Sequence, residues 1–132
     1  MLYQYELSTA ERGFYDITED VNDALRKSGV KSGICVVYCP HTTAAITINE
    51  NADPDVVKDL LFSMETYFPD RPEYRHREGN SYAHLRCSLM GASETVIIDK
   101  GHLVLGTWQG IYFAEFDGPR PHRKFYVKMI AD

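Results

Sequence analysis

The chain has 132 residues, of which 44% are hydrophobic and 25% are charged, and its formal net charge is −5. This length and composition fit one globular domain over residues 1–132 with a hydrophobic core. The acidic balance argues against binding to nucleic acids and to anionic membranes, because a phosphate backbone or an anionic surface requires a basic patch. It leaves room for one small phosphate site, which needs only a few local groups.

Cysteine usage and the absence of long apolar runs predict the compartment. The chain has an odd number of cysteines, Cys35, Cys39 and Cys87, and no CxxC pair. This indicates reduced thiols rather than a disulfide framework. The first residues show no signal-peptide pattern, and no apolar run is long enough to cross a membrane. We therefore expect a cytoplasmic protein without a membrane segment.

Hydrophobic periodicity and turn residues predict about eight strands and two or three helices. The strands are predicted, in chain order, at residues 2–7, 14–17, 33–38, 44–48, 94–99, 103–105, 106–117 and 125–130. We expect the first two to pair as a hairpin and the continuously apolar third strand to be buried on both faces. Since strands and helices do not alternate, the fold class is α+β, a mainly antiparallel two-layer β-sandwich with two or three short helices.

Capping residues mark the ends of the first two helices. Thr18 is the predicted N-cap of the first helix, and Gly29 ends it. Asp53, followed by Pro54, opens the second helix. The stripe of apolar residues between Val56 and Phe68 follows the helical period and predicts one buried face for this helix.

A third helix is predicted over residues 83–90, capped by Ser81 and directing Leu85 and Leu89 inward, with a strand as the alternative. The segment before it, residues 69–82, is polar and irregular. Such a segment is long for a compact domain, and loops of this kind are usually functional.

Three histidines lie at breaks between the predicted elements. His41 follows Pro40 between two strands, and His76 and His84 flank the polar segment. Three imidazoles can hold a metal ion with one open coordination position, as in catalytic zinc sites. Their spacing matches no standard metal motif, so surface or hydrogen-bonding roles are the alternative. Glu50 is a candidate general base or a hydrogen-bond partner that orients a histidine, or else a polar strand end that bonds to helix backbone.

Further polar residues complete the candidate site. Arg120 lies between two prolines on stiff backbone, which suits a phosphate contact, although a solvated turn is equally consistent with the pattern. Glu115 points inward on an apolar strand and needs a partner, such as a site histidine, Arg120 or a neighbouring subunit. The candidate substrate-binding residues are Thr42, Thr43, Asn51, Ser81, Gln109 and Arg120.

A pattern of short segments runs along nearly the whole chain, at residues 40–45, 49–54, 76–84, 89–93, 100–101 and 106–112. In these segments the chain resembles the YjbQ-like family, described as secondary thiamine-phosphate synthase proteins. The resemblance implies an α+β β-sandwich that assembles as a homotrimer. It also implies that His41, His76 and His84 form the family's catalytic or metal-binding set.

The activity implied by the resemblance joins a hydroxymethylpyrimidine diphosphate to a thiazole phosphate and releases diphosphate, so the expected partner is a small phosphorylated molecule. Diphosphate chemistry favours magnesium, whereas three histidines favour zinc, and we expect a divalent metal with zinc preferred. This mismatch suggests that a synthase activity is weak or secondary. The alternatives are a metal-dependent hydrolase of a small phosphorylated or acyl compound and a non-catalytic metal- or anion-binding module.

Overall fold

Eight strands and three helices make up the fold, and the computed structural model describes all residues from 1 to 132. The strands are β1 Leu2–Thr9, β2 Gly13–Asp16, β3 Gly33–Tyr38, β4 Ala44–Glu50, β5 Ser93–Asp99, β6 His102–Leu103, β7 Gln109–Glu115 and β8 Arg120–Ala131. The helices are α1 Thr18–Ser28, α2 Pro54–Tyr67 and α3 Ser81–Met90. The α+β class with antiparallel sheets is as predicted.

The strands form a five-stranded sheet in the order β1-β8-β3-β5-β6 and a three-stranded sheet in the order β2-β7-β4. Every strand pair is antiparallel. One cluster of buried residues joins Val37 and Phe125 of the larger sheet to Ile46 and Phe113 of the smaller sheet, together with Val21 of α1. The main core therefore lies between two layers, as in a β-sandwich.

The predicted hairpin of the first two strands is wrong. β1 pairs with β8 in the larger sheet, whereas β2 pairs with β7 in the smaller one. The chain crosses from one layer to the other between them. A short connection between two strands favours a hairpin in the sequence, but the pairing depends on distant strands that local residues do not specify.

β3 has the predicted bounds, but only one of its faces is buried. Its residues alternate between buried and more exposed positions, and Ile34 and Tyr38 are 36% and 46% exposed. The prediction of burial on both faces is wrong because the outer face of the five-stranded sheet is apolar yet uncovered within one chain.

The first two helices begin and end at local signals. Gly29 has a φ of 69° and ends α1 as predicted, since this left-handed conformation favours glycine. Thr18 is the first helical residue rather than the N-cap, and its backbone N–H and hydroxyl donate to Oδ1 of Asp16 at 2.9 and 2.6 Å. Asp53 caps α2 as predicted, because its Oδ1 accepts a hydrogen bond from the N–H of Asp55 at 2.9 Å.

The buried faces of α2 and α3 differ from the predicted ones. The apolar stripe of α2 has the predicted period, but no residue of that helix is fully buried. α3 buries Ala83, Arg86 and Cys87, while Leu85 and Leu89 are 36% and 54% exposed. Small alanines on α3 and on the smaller sheet form its contact, which allows a close approach and leaves the leucines outside.

Two features of the fold position its polar groups. β8 begins at Arg120, five residues earlier than predicted, so Arg120, Arg123 and Lys124 are part of the larger sheet. The connection between α2 and α3 contains no helix or strand, in agreement with the predicted polar segment. No helix of the fold is long and apolar enough to cross a membrane.

Candidate functional site

A polar cavity of about 370 Å³ lies where the residues before β4, the connection before α3 and the start of β8 meet. Its volume falls within the range of small-molecule sites, about 300–1,000 Å³. None of its lining residues is hydrophobic, and they are Pro40, His41, Thr42, Thr43, His76, Glu78, Asn80, His84, Arg120 and Arg123. We call this space the polar cavity.

A buried ion pair forms one wall of the polar cavity. Glu115 has no solvent exposure and Arg123 is 4% exposed. Nε and Nη2 of Arg123 donate to the two carboxylate oxygens of Glu115 at 2.7 and 2.6 Å, and Nη2 also donates to Oγ1 of Thr43 at 2.8 Å. This bidentate pair fixes the plane of the guanidinium group, and Nη1 forms no hydrogen bond within the chain.

Further donors keep Glu115 ionised inside the core. The Thr9 hydroxyl donates to Oε1 at 2.6 Å, and the backbone N–H of Asp117 donates to Oε2 at 2.9 Å. Burial alone raises the pKa of Glu115, but the hydrogen bonds from Arg123, Thr9 and Asp117 outweigh it, so the net pKa is lower than usual. The carboxylate is therefore charged at neutral pH and compensates the charge of Arg123.

Asp117 holds a second arginine and an asparagine at the rim of the polar cavity. Arg120 donates from Nε to the backbone carbonyl of Asp117 and from Nη2 to its Oδ2, both at 2.9 Å. Asn80 donates from Nδ2 to the same Oδ2 at 2.8 Å. Asn80 is 7% exposed, and its buried Oδ1 has no hydrogen-bond partner. Nη1 of Arg120 likewise makes no hydrogen bond within the chain.

The environment of His41 fixes which ring nitrogen carries hydrogen. Nε2 accepts a hydrogen bond from the backbone N–H of Lys124 at 2.9 Å. Burial, followed by the charge of Arg123, lowers the pKa of His41, so the ring is neutral at neutral pH. A neutral imidazole whose Nε2 is an acceptor carries its hydrogen on Nδ1. His41 therefore offers one N–H donor and no free lone pair, which suits an anion and does not suit a metal ion.

His76 and His84 form the other side of the polar cavity. Their ring centroids are 5.3 Å apart, with the rings nearly perpendicular. His84 is half-buried in the first turn of α3, whereas His76 is exposed in the preceding connection. Glu78 lines the cavity beside them. The two imidazoles and the carboxylate supply donors and acceptors for the polar part of a ligand.

Six of the predicted site residues line the polar cavity. These residues come from separate parts of the sequence and are His41, Thr42, Thr43, His76, His84 and Arg120. Their catalytic and binding roles stay predictions.

Four predicted site residues lie elsewhere. Glu50 ends β4, and the six steps from Ala44 at about 3.4 Å each place it roughly 20 Å from the end of the strand near His41. Asn51 donates to Asp16 at 3.2 Å, and Gln109 accepts from the N–H of Gly106 at 2.8 Å. Ser81 begins α3 but does not line the cavity.

Four cavity residues were not among the predicted site residues, and they are Pro40, Glu78, Asn80 and Arg123. Asn80 and Glu78 belong to the polar segment that was expected to be functional, so their positions carried a weak signal. Arg123 was missed because the final strand was predicted to begin at Phe125. Extending that strand backward places Arg123 on the same face as the buried residues Phe125 and Val127, where it is available to pair with Glu115.

Comparison with known proteins assigns the family. The family described as UPF0047 protein YjbQ-like matches residues 3–132. The chain belongs to this family. It is 53% identical to a UPF0047 protein of Methanocaldococcus jannaschii over 133 aligned positions, which cover 100% of this chain and 96% of that protein. It is 52% identical to UPF0047 protein YugU of Bacillus subtilis, covering 99% of this chain and 100% of YugU.

Solved structures share the same fold. A YjbQ/UPF0047 family protein of Clostridium acetobutylicum, described as uncharacterized, has a TM-score of 0.94 and 56% identity over 97% of this chain and 99% of its own. A YbjQ-like protein of unknown function from Sulfolobus solfataricus has a TM-score of 0.95 and 33% identity over 100% of this chain and 97% of its own. The resemblance to the YjbQ-like family and the predicted fold class are thus confirmed.

The function predicted from the resemblance is wrong. The relatives carry only the uncharacterised family designation UPF0047, and nothing in them supports thiamine-phosphate synthase activity. The chain contains no group of three His, Cys, Asp or Glu side chains arranged to hold a metal ion. Nε2 of His41 already accepts a hydrogen bond from the N–H of Lys124, so it is not free to bind a metal ion. The enzyme with a three-histidine metal site and its metal-dependent alternatives are therefore not retained.

Proposed function

We propose that the polar cavity binds a small phosphorylated molecule. The observation that carries this proposal is a set of three N–H donors without acceptors in the chain: Nη1 of Arg120, Nη1 of Arg123 and Nδ1 of His41. All three residues line the same cavity. A phosphate group presents several strong acceptor oxygens, and guanidinium groups match its geometry.

The way in which the two arginines are held also supports a phosphate ligand. Glu115 compensates Arg123 from the buried side, and Asp117 compensates Arg120 from the rim. Both arginines are therefore held in place without using all of their donors. The hydroxyl of Thr42, which is exposed before β4, adds a further donor to the same space.

The remaining lining residues define the rest of the ligand. Glu78 and the buried Oδ1 of Asn80 are acceptors, and His76 and His84 can donate or accept. No hydrophobic side chain lines the cavity, so an apolar group gains little contact there. We therefore assign the ligand to phosphomonoesters whose organic part carries hydroxyl or amino groups.

Isothermal titration calorimetry with glycerol 3-phosphate, inorganic phosphate and glycerol tests this proposal. We expect binding of both phosphates and none of glycerol alone. Arg120→Gln and His41→Ala should each weaken glycerol 3-phosphate binding roughly tenfold or more, because each removes a hydrogen bond to a charged group. Arg77→Gln is the matched control, since Arg77 is an exposed arginine in the connection between α2 and α3 and does not line the cavity.

Two results would contradict the proposal. One is the absence of binding by either phosphate to the wild-type protein. The other is an affinity that Arg120→Gln and His41→Ala leave at the level of Arg77→Gln. Thermal melting of each variant shows whether a loss of binding comes from loss of the fold.

Three further expectations accompany this function as proposals. We infer that the protein forms a homotrimer, as the family resemblance implies, and the exposed apolar face of the larger sheet supports self-association. A cytoplasmic location is supported by three free, buried cysteine thiols. A bound divalent metal, zinc in preference to magnesium, stays a prediction, and the residues of the polar cavity do not support it there.

A further inference from the structure

A second cavity of about 330 Å³ shares no residue with the polar cavity. Its lining residues come from the connection after β1, from α2 and its end, and from α3, and they are Arg12, Glu65, Pro69, Asp70, Tyr82 and Arg86. We call this space the Arg86 cavity. Nothing in the proposed function uses it.

Arg86 is the unusual residue of this cavity. It is 5% exposed and forms no ion pair of its own, and the carboxylate whose charge reaches it, Glu65, is already paired with Arg12. Its Nε donates to the backbone carbonyl of Phe68 at 3.1 Å, and its guanidinium carbon lies 4.8 Å from the ring centroid of Tyr82. These contacts hold the side chain in place but leave both Nη groups without a hydrogen-bond acceptor in the chain. A buried charge without a counter-charge is costly, so such a position favours an anionic ligand.

The other charged groups of the Arg86 cavity narrow the choice of ligand. Arg12 pairs with the carboxylate of Glu65, so these two charges compensate each other. Asp70 is exposed, forms no salt bridge, and uses Oδ1 to accept the N–H of Arg71 at 3.0 Å. The guanidinium group of Arg86 and the carboxylate of Asp70 therefore face the same space, and neither has an ion-pair partner. A dianion would be repelled by the carboxylates of Glu65 and Asp70. A simple cation would be repelled by the guanidinium groups of Arg12 and Arg86.

We propose that the Arg86 cavity binds a small zwitterion of the α-amino-acid type. Its carboxylate pairs with the two Nη groups of Arg86, in the bidentate geometry that guanidinium groups form with carboxylates. Its ammonium group lies against Asp70. Tyr82 and Pro69 provide the less polar surface for the side chain of the ligand.

Titration followed by NMR tests this proposal with three probes at equal ionic strength: glycine, acetate and inorganic phosphate. Glycine is expected to shift the backbone amide signals of Tyr82 and Asp70, and acetate to shift them less at the same concentration. Arg86→Lys keeps the charge but loses the bidentate geometry, and we expect roughly a tenfold loss of glycine affinity. Thermal melting of this variant establishes that the fold is intact.

Asp70→Asn provides a variant whose folding is not at risk, because Asp70 is exposed. It should weaken glycine binding while leaving acetate binding unchanged, whereas Asp59→Asn, an exposed carboxylate of α2 outside the cavity, should change neither. The proposal is overturned if glycine causes no shift at Tyr82 and Asp70, or if Asp70→Asn and Arg86→Lys bind it as the wild type does. It is also overturned if phosphate shifts these signals and glycine does not.

The same titrations separate this proposal from the function of the polar cavity. His41→Ala should weaken phosphate binding and keep glycine binding, while Asp70→Asn should weaken glycine binding and keep phosphate binding. Failure of one pattern leaves the other intact, because the two cavities have no residue in common.

Discussion

At the scale of single residues, Glu115 and Arg123 decide how the polar cavity is supported. We expect Glu115→Gln to lower the free energy of unfolding by about 3–5 kcal/mol, because it leaves the buried charge of Arg123 without compensation. Urea denaturation measures this loss. Glu11→Gln is the control, since the side chain of Glu11 is 79% exposed and its ion pair with Arg12 is a surface contact. A loss of less than about 1 kcal/mol for Glu115→Gln would show that the pair contributes no more than a surface ion pair.

The pH dependence of stability provides a second measurement on the same residue. The pKa of Glu115 is lower in the folded protein than its ordinary value of 4.5. Its contribution to stability is therefore fully present above that ordinary value and is lost as the pH falls through the folded pKa. Wild-type protein should lose stability in this acidic range, and Glu115→Gln should lose less over the same interval. Parallel curves for the two proteins would contradict the assignment.

At the scale of elements, the start of α2 rests on one side chain. Asp53→Ala removes the acceptor for the N–H of Asp55 and should lower the free energy of unfolding by about 1 kcal/mol. Asp59→Ala, an exposed position inside the same helix, should change stability little or raise it slightly, since alanine has the higher helix propensity. Equal effects of the two substitutions, measured by thermal unfolding, would show that Asp53 does not act as a cap.

Elements specified by neighbouring residues were predictable from the sequence, and elements specified by distant contacts were not. Gly29 and Asp53 mark helix ends because the backbone groups they satisfy lie within a few residues. The pairing of β1 with β8 joins the two ends of the chain, and no local pattern encodes it. α3 was located correctly, but its buried face depends on Ala83 meeting the smaller sheet, so Leu85 and Leu89 were assigned to the wrong side.

The candidate site divides in the same way. His41, His76 and His84 stand out as polar groups at breaks between elements, so the sequence predicted that they lie together. Their chemistry depends on a contact across more than eighty residues, between Nε2 of His41 and the N–H of Lys124. Three histidines without that contact suggest a metal site. Because the contact occupies Nε2, His41 instead offers the N–H of Nδ1 as a hydrogen-bond donor.

At the scale of the whole molecule, the outer face of the five-stranded sheet remains uncovered. Ile34 lies opposite Ile97 on one side and Ile130 on the other, so the three isoleucines form one row across β5, β3 and β8. They are 36%, 59% and 44% exposed. Tyr38 and Tyr126 are paired further along the same strands. Contiguous exposed apolar surface of this kind is typical of a protein–protein interface.

We expect this face to be buried between the subunits of the proposed homotrimer. The number of subunits is the one that the family resemblance implies. Multi-angle light scattering should give the mass of three chains for the wild type and a lower mass for Ile97→Lys, because a charge in the middle of the isoleucine row has no counter-charge when buried. Leu89→Lys is the control: Leu89 is a comparably exposed apolar residue, at 54%, on a helix that contacts the smaller sheet instead. A monomeric wild-type protein would contradict the assembly, and a trimer that persists in Ile97→Lys would assign the interface to another surface. Since Ile97 does not line the polar cavity, phosphate binding should persist in a folded Ile97→Lys monomer, which separates assembly from ligand binding.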